Sequence, residues 1–406
     1  MVPNGWSLIK LKDIGKCING LTYSPKNVVD NGLLVLRSSN VQGAKLAFDD
    51  NVYVNIDIAS DSKTKAGDIL LCVRNGSRNL IGKSAFIDES AEGLAHGAFM
   101  SLFRSNNTPN YTFQLFQSSR FFQQVNQNLG ATINSINSGN LNQFKFPYPP
   151  LAERKKIAQI LSTWDRGIAT TEKLIDASKQ QKKALMQQLL TGKKRLIDPE
   201  TGKAFEGKWE EVKVKSLITQ HSEKTERSGQ YPVLTSSRKG IFFQSDYYND
   251  RDVASEDTTG YNVVPRGFFT YRHMSDDLVF KFNINSLCDR GIVSTLYPVF
   301  AAKENIVVPY LLRAILNDGS EFKRFSLSQK QGGSRTYMYL SKLNELKIKI
   351  PKLKEQQKIV STLTAADKEI ELLETKLAHF KQEKKALMQQ LLTGKRRVKV
   401  AETEAA

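Results

Sequence analysis

What this chain is short of narrows its chemistry before any motif is read. Only three cysteines occur, Cys17, Cys72 and Cys288, and none forms a Cys-x-x-Cys pair. That excludes a disulfide framework and a cysteine-built zinc site, and it fits free thiols in a reducing compartment. Histidines number four (His96, His221, His273, His379), with no metal-ligand spacing to a cysteine or to one another. No glycine-rich loop ends in Gly-Lys-Ser/Thr and no Gly-x-Gly-x-x-Gly is present, so the common nucleotide cradles are excluded. No apolar run approaches the roughly 18–20 residues that cross a bilayer. Residues 1–5 carry no basic stretch leading into an apolar one, as an export signal would. A cytoplasmic protein with no catalytic residues, metal or cofactor of its own is expected.

Acidic residues are also in deficit. Asp and Glu total 41 against 59 Lys and Arg, a net charge of +18 spread along 406 residues. A surplus of that size implies a polyanionic partner, and its even spread favours nucleic acid over a membrane surface. The plain alternative is a solubilising surface. A 40% hydrophobic content supplies cores for two or three ordinary domains.

The chain is one plan written twice. The twelve residues from Lys182 to Lys193 (KKALMQQLLTGK) recur unchanged from Lys384 to Lys395, 202 residues later. Upstream the offset holds, pairing Gly130 with Gly332, Pro149 with Pro351, Glu153 with Glu355 and Asp165 with Asp367. Near the start of each half it becomes 203, pairing Trp6 with Trp209. Each half is a variable globular segment followed by a shared helix.

Both helices show heptad spacing of apolar residues. The first, from Leu151 to Leu190, places Ile157, Leu161, Trp164, Ile168, Ile175, Leu185 and Leu189 on one stripe. The second places Ile359, Leu363, Ile370, Leu373, Leu377, Phe380, Leu387 and Leu391. These stripes are expected to pack against each other, most simply antiparallel. Lys182 and Lys384 fall on core positions of the pattern, where a charge lowers stability but fixes register and partner. At ~1.5 Å per residue each helix spans roughly 60 Å.

The expected fold class is α+β: two mixed α/β domains separated by two long antiparallel coiled-coil helices in an internal pseudo-two-fold repeat. The segments read as 1–150, 151–196, 197–350 and 351–397, with a tail at 398–406. Short strands are predicted at 35–37, 68–73, 99–103, 231–234, 268–271 and 293–297, and helices over 111–127 and 309–324.

Base edges are read by side chains with paired donors and acceptors, and phosphates by Lys, Arg, Ser and Thr. Polar clusters of that kind recur at corresponding places in the two halves. In the first half they supply Arg37, Ser39 and Asn40, then Arg74, Asn75 and Arg78, then Thr132 and Asn134. In the second they supply Thr235, Ser237 and Arg238, then Tyr271 and Arg272, then Gln331, Ser334 and Arg335. All sixteen are candidate DNA contacts, although such clusters also make ordinary hydrophilic turns. Lys193-Lys194-Arg195 and Lys395-Arg396-Arg397 are read as phosphate contacts or solubilising helix ends. Asp198, Glu200, Asp276 and Asp277 read as solvated turns rather than nuclease carboxylates.

The whole chain resembles the specificity subunits of Type I restriction–modification systems. The resemblance is carried by Gly5-Trp6-Ser7-Leu8 with its echo Lys208-Trp209-Glu210-Glu211, and by Ala66-Gly67-Asp68-Ile69-Leu70-Leu71. It is closed by Pro150-Leu151-Ala152-Glu153 through Ile157, with Lys352-Leu353-Lys354-Glu355 through Ile359 as counterpart. The second half has Gly267-Phe268-Phe269 where the Gly-Asp-Ile-Leu strand belongs, a departure that loosens its alignment.

The resemblance implies two target-recognition domains (1–150 and 197–350) that read an asymmetric, bipartite duplex target. It implies as partners double-stranded DNA, two methylating subunits, and motor and nuclease subunits, with a role in defence against phage. S-adenosylmethionine, ATP and Mg would belong to those partners, which methylate adenine at N6 and restrict. Three other readings stand beside this one. A stand-alone methyltransferase or nuclease would need the cofactor motifs that are missing. A coiled-coil adaptor would leave the basic charge without a role. A single-strand or RNA binder would need exposed aromatic stacking pairs, which are not evident in the sequence.

Overall fold

The computed structural model describes residues 2–129, 134–248, 255–330 and 335–400. Two compact units emerge: Met1–Lys173 together with Thr375–Ala406, and Leu174–Glu374. This division cuts across the five segments read from the sequence, because each unit takes one globular segment and half of each long helix.

In the first unit, Ser7–Lys10 pairs antiparallel with Lys145–Tyr148 beside the start of the first long helix. The central antiparallel sheet runs in the order Gly15–Asn19, Met100–Ser105, Ile69–Cys72, Ser84–Phe86. A second sheet orders Ala95–His96, Leu33–Leu36, Tyr53–Val54 and Val28–Val29, its first pair parallel. The core gathers Leu36, Ile69, Leu102, Phe103, Tyr111, Phe116, Phe121 and Phe146.

Asp68, just ahead of the central strand, is buried and accepts from the Lys65 amide (2.9 Å). It also takes a two-pronged contact from Arg104, Nε to Oδ1 at 2.8 Å and Nη2 to Oδ2 at 2.6 Å.

The second unit repeats the plan. Glu210–Lys213 pairs with Lys347–Ile350, the 202- and 203-residue equivalents of the first unit's opening pair. Its sheet runs Ile218–His221, Val299–Ala302, Phe269–Thr270, Asn283–Ile284. Phe269–Thr270 therefore occupies the place of Ile69–Cys72, which fixes the loosest part of the sequence alignment. In that register Phe268 stands where the first unit has Asp68, and Ala301 where it has Arg104.

Several predicted elements end differently. The helix expected over 111–127 is two helices, Pro109–Phe116 and Ser119–Asn128, because the Ser118 hydroxyl caps the second by accepting from the Phe121 amide. The helix expected over 309–324 breaks at Gly319 into Pro309–Asp318 and Ser320–Ser328. The strand expected at 231–234 begins only at Leu234, and the one at 293–297 ends at Val293, where a turn closes from the Tyr297 amide to the Ser294 carbonyl.

The long helices, Leu151–Leu189 and Leu353–Leu391, are 39 residues each. Within the first unit the start of one packs on the end of the other: Trp164 meets Phe380 edge-on at 5.6 Å, and Lys381 pairs with Glu172 at 2.9 Å. Within the second unit Lys179 pairs with Glu374 at 2.7 Å. The pairing is antiparallel in both.

The stripe does more than join helix to helix. Its most buried members, Ile157, Leu161 and Leu391 in one unit and Leu189, Ile359 and Leu363 in the other, belong to the globular cores. Ile175 and Ile370 are also buried, while Trp164, Ile168, Leu185, Leu373, Leu377, Phe380 and Leu387 are half-buried.

The two core lysines find carboxylates. Lys384 donates to Asp165 at 2.6 Å, and Gln114 donates to the other oxygen of Asp165 at 2.9 Å. Lys182 donates to Asp367, whose second oxygen accepts from the Tyr310 hydroxyl at 2.5 Å. Burial, then that carboxylate, pushes the Tyr310 phenol up to about 12. Each unit thus ties helix to helix and helix to globular segment through one aspartate, which fixes register as a polar group among apolar neighbours can. Among the described residues no helix is long and apolar enough to cross a membrane.

One buried group makes the first unit sensitive to acid. His96 is enclosed with its Nε2 3.1 Å from the Ile18 carbonyl, while Nδ1 has no partner among the described residues. Burial holds its pKa below the ordinary 6.5. The unfolded chain then binds a proton at a pH where the folded chain does not, so stability is retained above about 6.5 and lost as pH falls through and below it. The thermal midpoint of the first unit should decline between about pH 7 and pH 5, and His96→Gln should flatten that decline. An unchanged slope in the variant would assign the acid sensitivity to other groups.

Candidate nucleic-acid interface

In the first unit, three loops far apart in sequence meet. The Asn75 side chain donates to the Ser38 hydroxyl (3.1 Å), and its amide donates to the Asn134 carbonyl (3.2 Å). The Asn134 side chain closes the cluster by donating to the Gly76 carbonyl (2.9 Å). A β-bridge joins Arg74 to Ser135, and the Arg74 guanidinium lies 5.7 Å from the centre of the exposed Phe99 ring. Arg37 pairs with Asp50 at 2.8 Å, and Arg78 reaches the Asn126 carbonyl at 3.4 Å. The Ser39 hydroxyl is buried without a partner among the described residues. The arrangement presents guanidinium and amide groups on one surface, the chemistry that purine edges and phosphates accept.

In the second unit, Thr235, Ser237, Arg238 and Arg272 line a cleft of about 250 Å³ together with Tyr247, Tyr248 and Tyr297. Arg238 forks onto Asp277 (2.8 and 2.5 Å), and Arg335 reaches Asp276 (3.0 Å). Arg238, then the Ser275 hydroxyl, holds the Asp277 carboxyl down at about 2. The two aspartates are counter-ions that orient exposed guanidiniums. The Ser237 hydroxyl is spent locally, donating to Gly240 and accepting from the Lys239 amide.

Two candidates face inward instead. Asn40 is fully buried: its Oδ1 accepts from the Arg37 amide, and its Nδ2 donates to the Ala47 carbonyl at 2.8 Å. It shapes the loop and cannot reach a base. Tyr271 is equally buried, with its hydroxyl donating to the Met338 carbonyl at 2.8 Å. Thr132, Gln331 and Ser334 lie outside the described residues.

The basic tripeptides after each long helix also need correcting, because their last arginines are not free. Arg195 forks onto the buried Glu355 (2.6 and 2.8 Å), and Arg397 forks onto the buried Glu153, with Nε to Oε2 at 2.9 Å.

Sequence reasoning missed an aromatic surface. Tyr337 and Tyr339 are exposed and nearly parallel (10°), with ring centres 5.8 Å apart. The Tyr-x-Tyr spacing around buried Met338 was the available signal, since alternate residues of an extended segment share a face.

The comparisons agree with this geometry. A family model described as "Type I restriction modification DNA specificity domain" matches residues 3–180 and again 206–382. The chain is similar to the putative type I restriction enzyme MjaX specificity subunit of Methanocaldococcus jannaschii, 29% identical over 98% of this chain and 95% of that one. It is similar to the EcoKI specificity subunit of Escherichia coli K12, 27% identical over 60% of this chain and 56% of that one. Its fold is that of the Type-I restriction-modification S subunit from M. genitalium, with a TM-score of 0.56 at 12% identity over 97% and 98% of the two chains. With both repeats matched across most of their length, the chain belongs to the specificity subunits of type I restriction–modification systems, the components that recognise DNA sequence.

Proposed function

We propose that each unit reads one part of an asymmetric, bipartite duplex target, and that the long helices set the number of base pairs between the parts. One observation carries this reading. The two units share a backbone framework, with the Ile136 amide bonded to the Val73 carbonyl in one and the Met338 amide to the His273 carbonyl in the other. Yet the side chains that this framework displays differ, Arg74 and Ser135 against Met274 and Tyr337. Equivalent scaffolds with unlike contacts suit two different sequences.

The chain in this reading directs adenine-N6 methylation, and restriction, by partner subunits. Two methylating subunits would dock on the repeated helix surfaces, of which KKALMQQLLTGK is identical in both copies. S-adenosylmethionine, ATP and Mg would be held by those partners. Mapping methylated adenines in DNA exposed to the assembled complex tests the reading. Exchange of residues 1–150 for the matching segment of another family member is expected to change one half of the target and leave the other intact. A change in both halves, or in neither, overturns it.

A further inference from the structure

We infer that Tyr337 and Tyr339 form a stacking platform for a nucleobase, so that binding unstacks one base in the part of the target read by the second unit. The inference rests on the reading of that unit as DNA-reading, and it adds a contact that acts on the face of a base rather than its edge.

The platform is built from below. Residues 337–339 alternate, so Met338 points into the core while both tyrosines stay on the outer face, 37% and 49% exposed. Met338 is held at both ends: its amide donates to the His273 carbonyl (2.7 Å), and its carbonyl accepts from the Tyr271 hydroxyl (2.8 Å). The buried His273 ring supports the pair, 4.9 Å from Tyr339 at 27° and 5.9 Å from Tyr337 at 35°. That imidazole is itself pinned by an Nδ1 contact to the Leu296 carbonyl. Three ring planes within about 35° of one another, fixed by main-chain hydrogen bonds, lose little freedom on meeting a fourth planar group.

The surroundings select the occupant. Arg335 lies two residues before Tyr337, exposed and paired with Asp276, and Arg272 precedes His273. A flat apolar face on a segment that also carries exposed arginines suits a planar group attached to an anion, as a base is attached to its phosphate. The first unit has Ser135, Asn137 and Val73 at the matching positions, and so, among the described residues, no such platform there. Stacking of a base on this chain's own side chains is therefore expected at the part read by the second unit and not at the other.

The test uses the assembled complex and duplexes that carry its target with 5-iodouracil at successive thymine positions of the second unit's part. Long-wavelength light should join one position to Tyr337 or Tyr339. Tyr337→Ala and Tyr339→Ala should lose the adduct and bind roughly tenfold or more weakly. The matching Phe variants, which keep the ring, should bind within about twofold of the wild type. Thermal midpoints equal to wild type show that the exposed substitutions leave the fold intact.

Phe variants as weak as the Ala variants would overturn stacking in favour of hydroxyl contacts. Ala variants that bind at full strength, with adducts mapping elsewhere, would overturn the platform while leaving the reading of the second unit in place. Insensitivity to both the tyrosines and Arg335 would remove both.

Discussion

Replacing Arg195 with Met should destabilise the second unit by about 3–5 kcal/mol, because it strands a buried carboxylate. Glu355 has only 4% of its side chain exposed, and both of its oxygens are taken by the Arg195 guanidinium. Arg195 also donates to the Gly207 carbonyl at 2.8 Å, so the substitution removes a tie between the helix end and the segment that follows.

The equivalent change in the first unit, Arg397→Met, should cost less. Arg397 is 44% exposed against 23% for Arg195, so water already screens that pair. In addition, Glu153 keeps a second donor, Trp6 Nε1 at 3.3 Å, whereas Trp209 Nε1 has no partner among the described residues. Differential scanning calorimetry or hydrogen exchange resolved by unit should place the Arg195→Met loss in residues 174–374. The midpoint shift there should be on the order of 10 °C. The double variant Arg195→Met/Glu355→Leu should recover most of it, since removing both charges leaves nothing uncompensated. A single variant that unfolds no earlier than the wild type would refute this account of the clamp.

A loss of similar size, about 3–5 kcal/mol, is expected from Arg104→Leu, this time confined to the first unit. Asp68 is almost wholly buried, and the two-pronged Arg104 contact meets both of its oxygens. Arg104 also donates to the Lys63 and Asp61 carbonyls, so it holds the turn that starts the central strand. The second unit has Phe268 and Ala301 at these two positions, an apolar solution to the same packing problem. Arg104→Leu combined with Asp68→Leu should therefore be better tolerated than either change alone. A denaturant midpoint in the double variant below both single variants would contradict that.

The repeat and the two long helices were legible in the sequence because both are short-range signals: an unchanged twelve-residue stretch and a heptad stripe. The same logic located Lys182 and Lys384 as register devices, though not their partners Asp367 and Asp165, which come from the other helix. The loop residues were harder. Asn40 and Tyr271 sit in clusters whose composition matches that of Arg74-Asn75 or Arg272, and only long-range packing turns them inward. The helix over 111–127 failed on a local detail, the Ser118 hydroxyl capping a new helix where the apolar pattern continues. The aromatic pair at 337 and 339 escaped because one buried methionine between two tyrosines reads like any half-buried strand.

The first unit needs chain from both sides of the second in sequence: its core contains Ile157 and Leu161 as well as Leu391 and Leu392. The second unit is drawn from one continuous stretch. During synthesis every residue from 174 to 374 is made before the last helical turns of the first unit. The first unit therefore cannot complete its core as soon as its amino-terminal segment is made, unlike the usual order in which the earlier part of a chain matures first. Until residues 375–392 are made the amino-terminal sheets wait with an open apolar flank, which places the greatest exposure to aggregation or proteolysis in the half that emerges first.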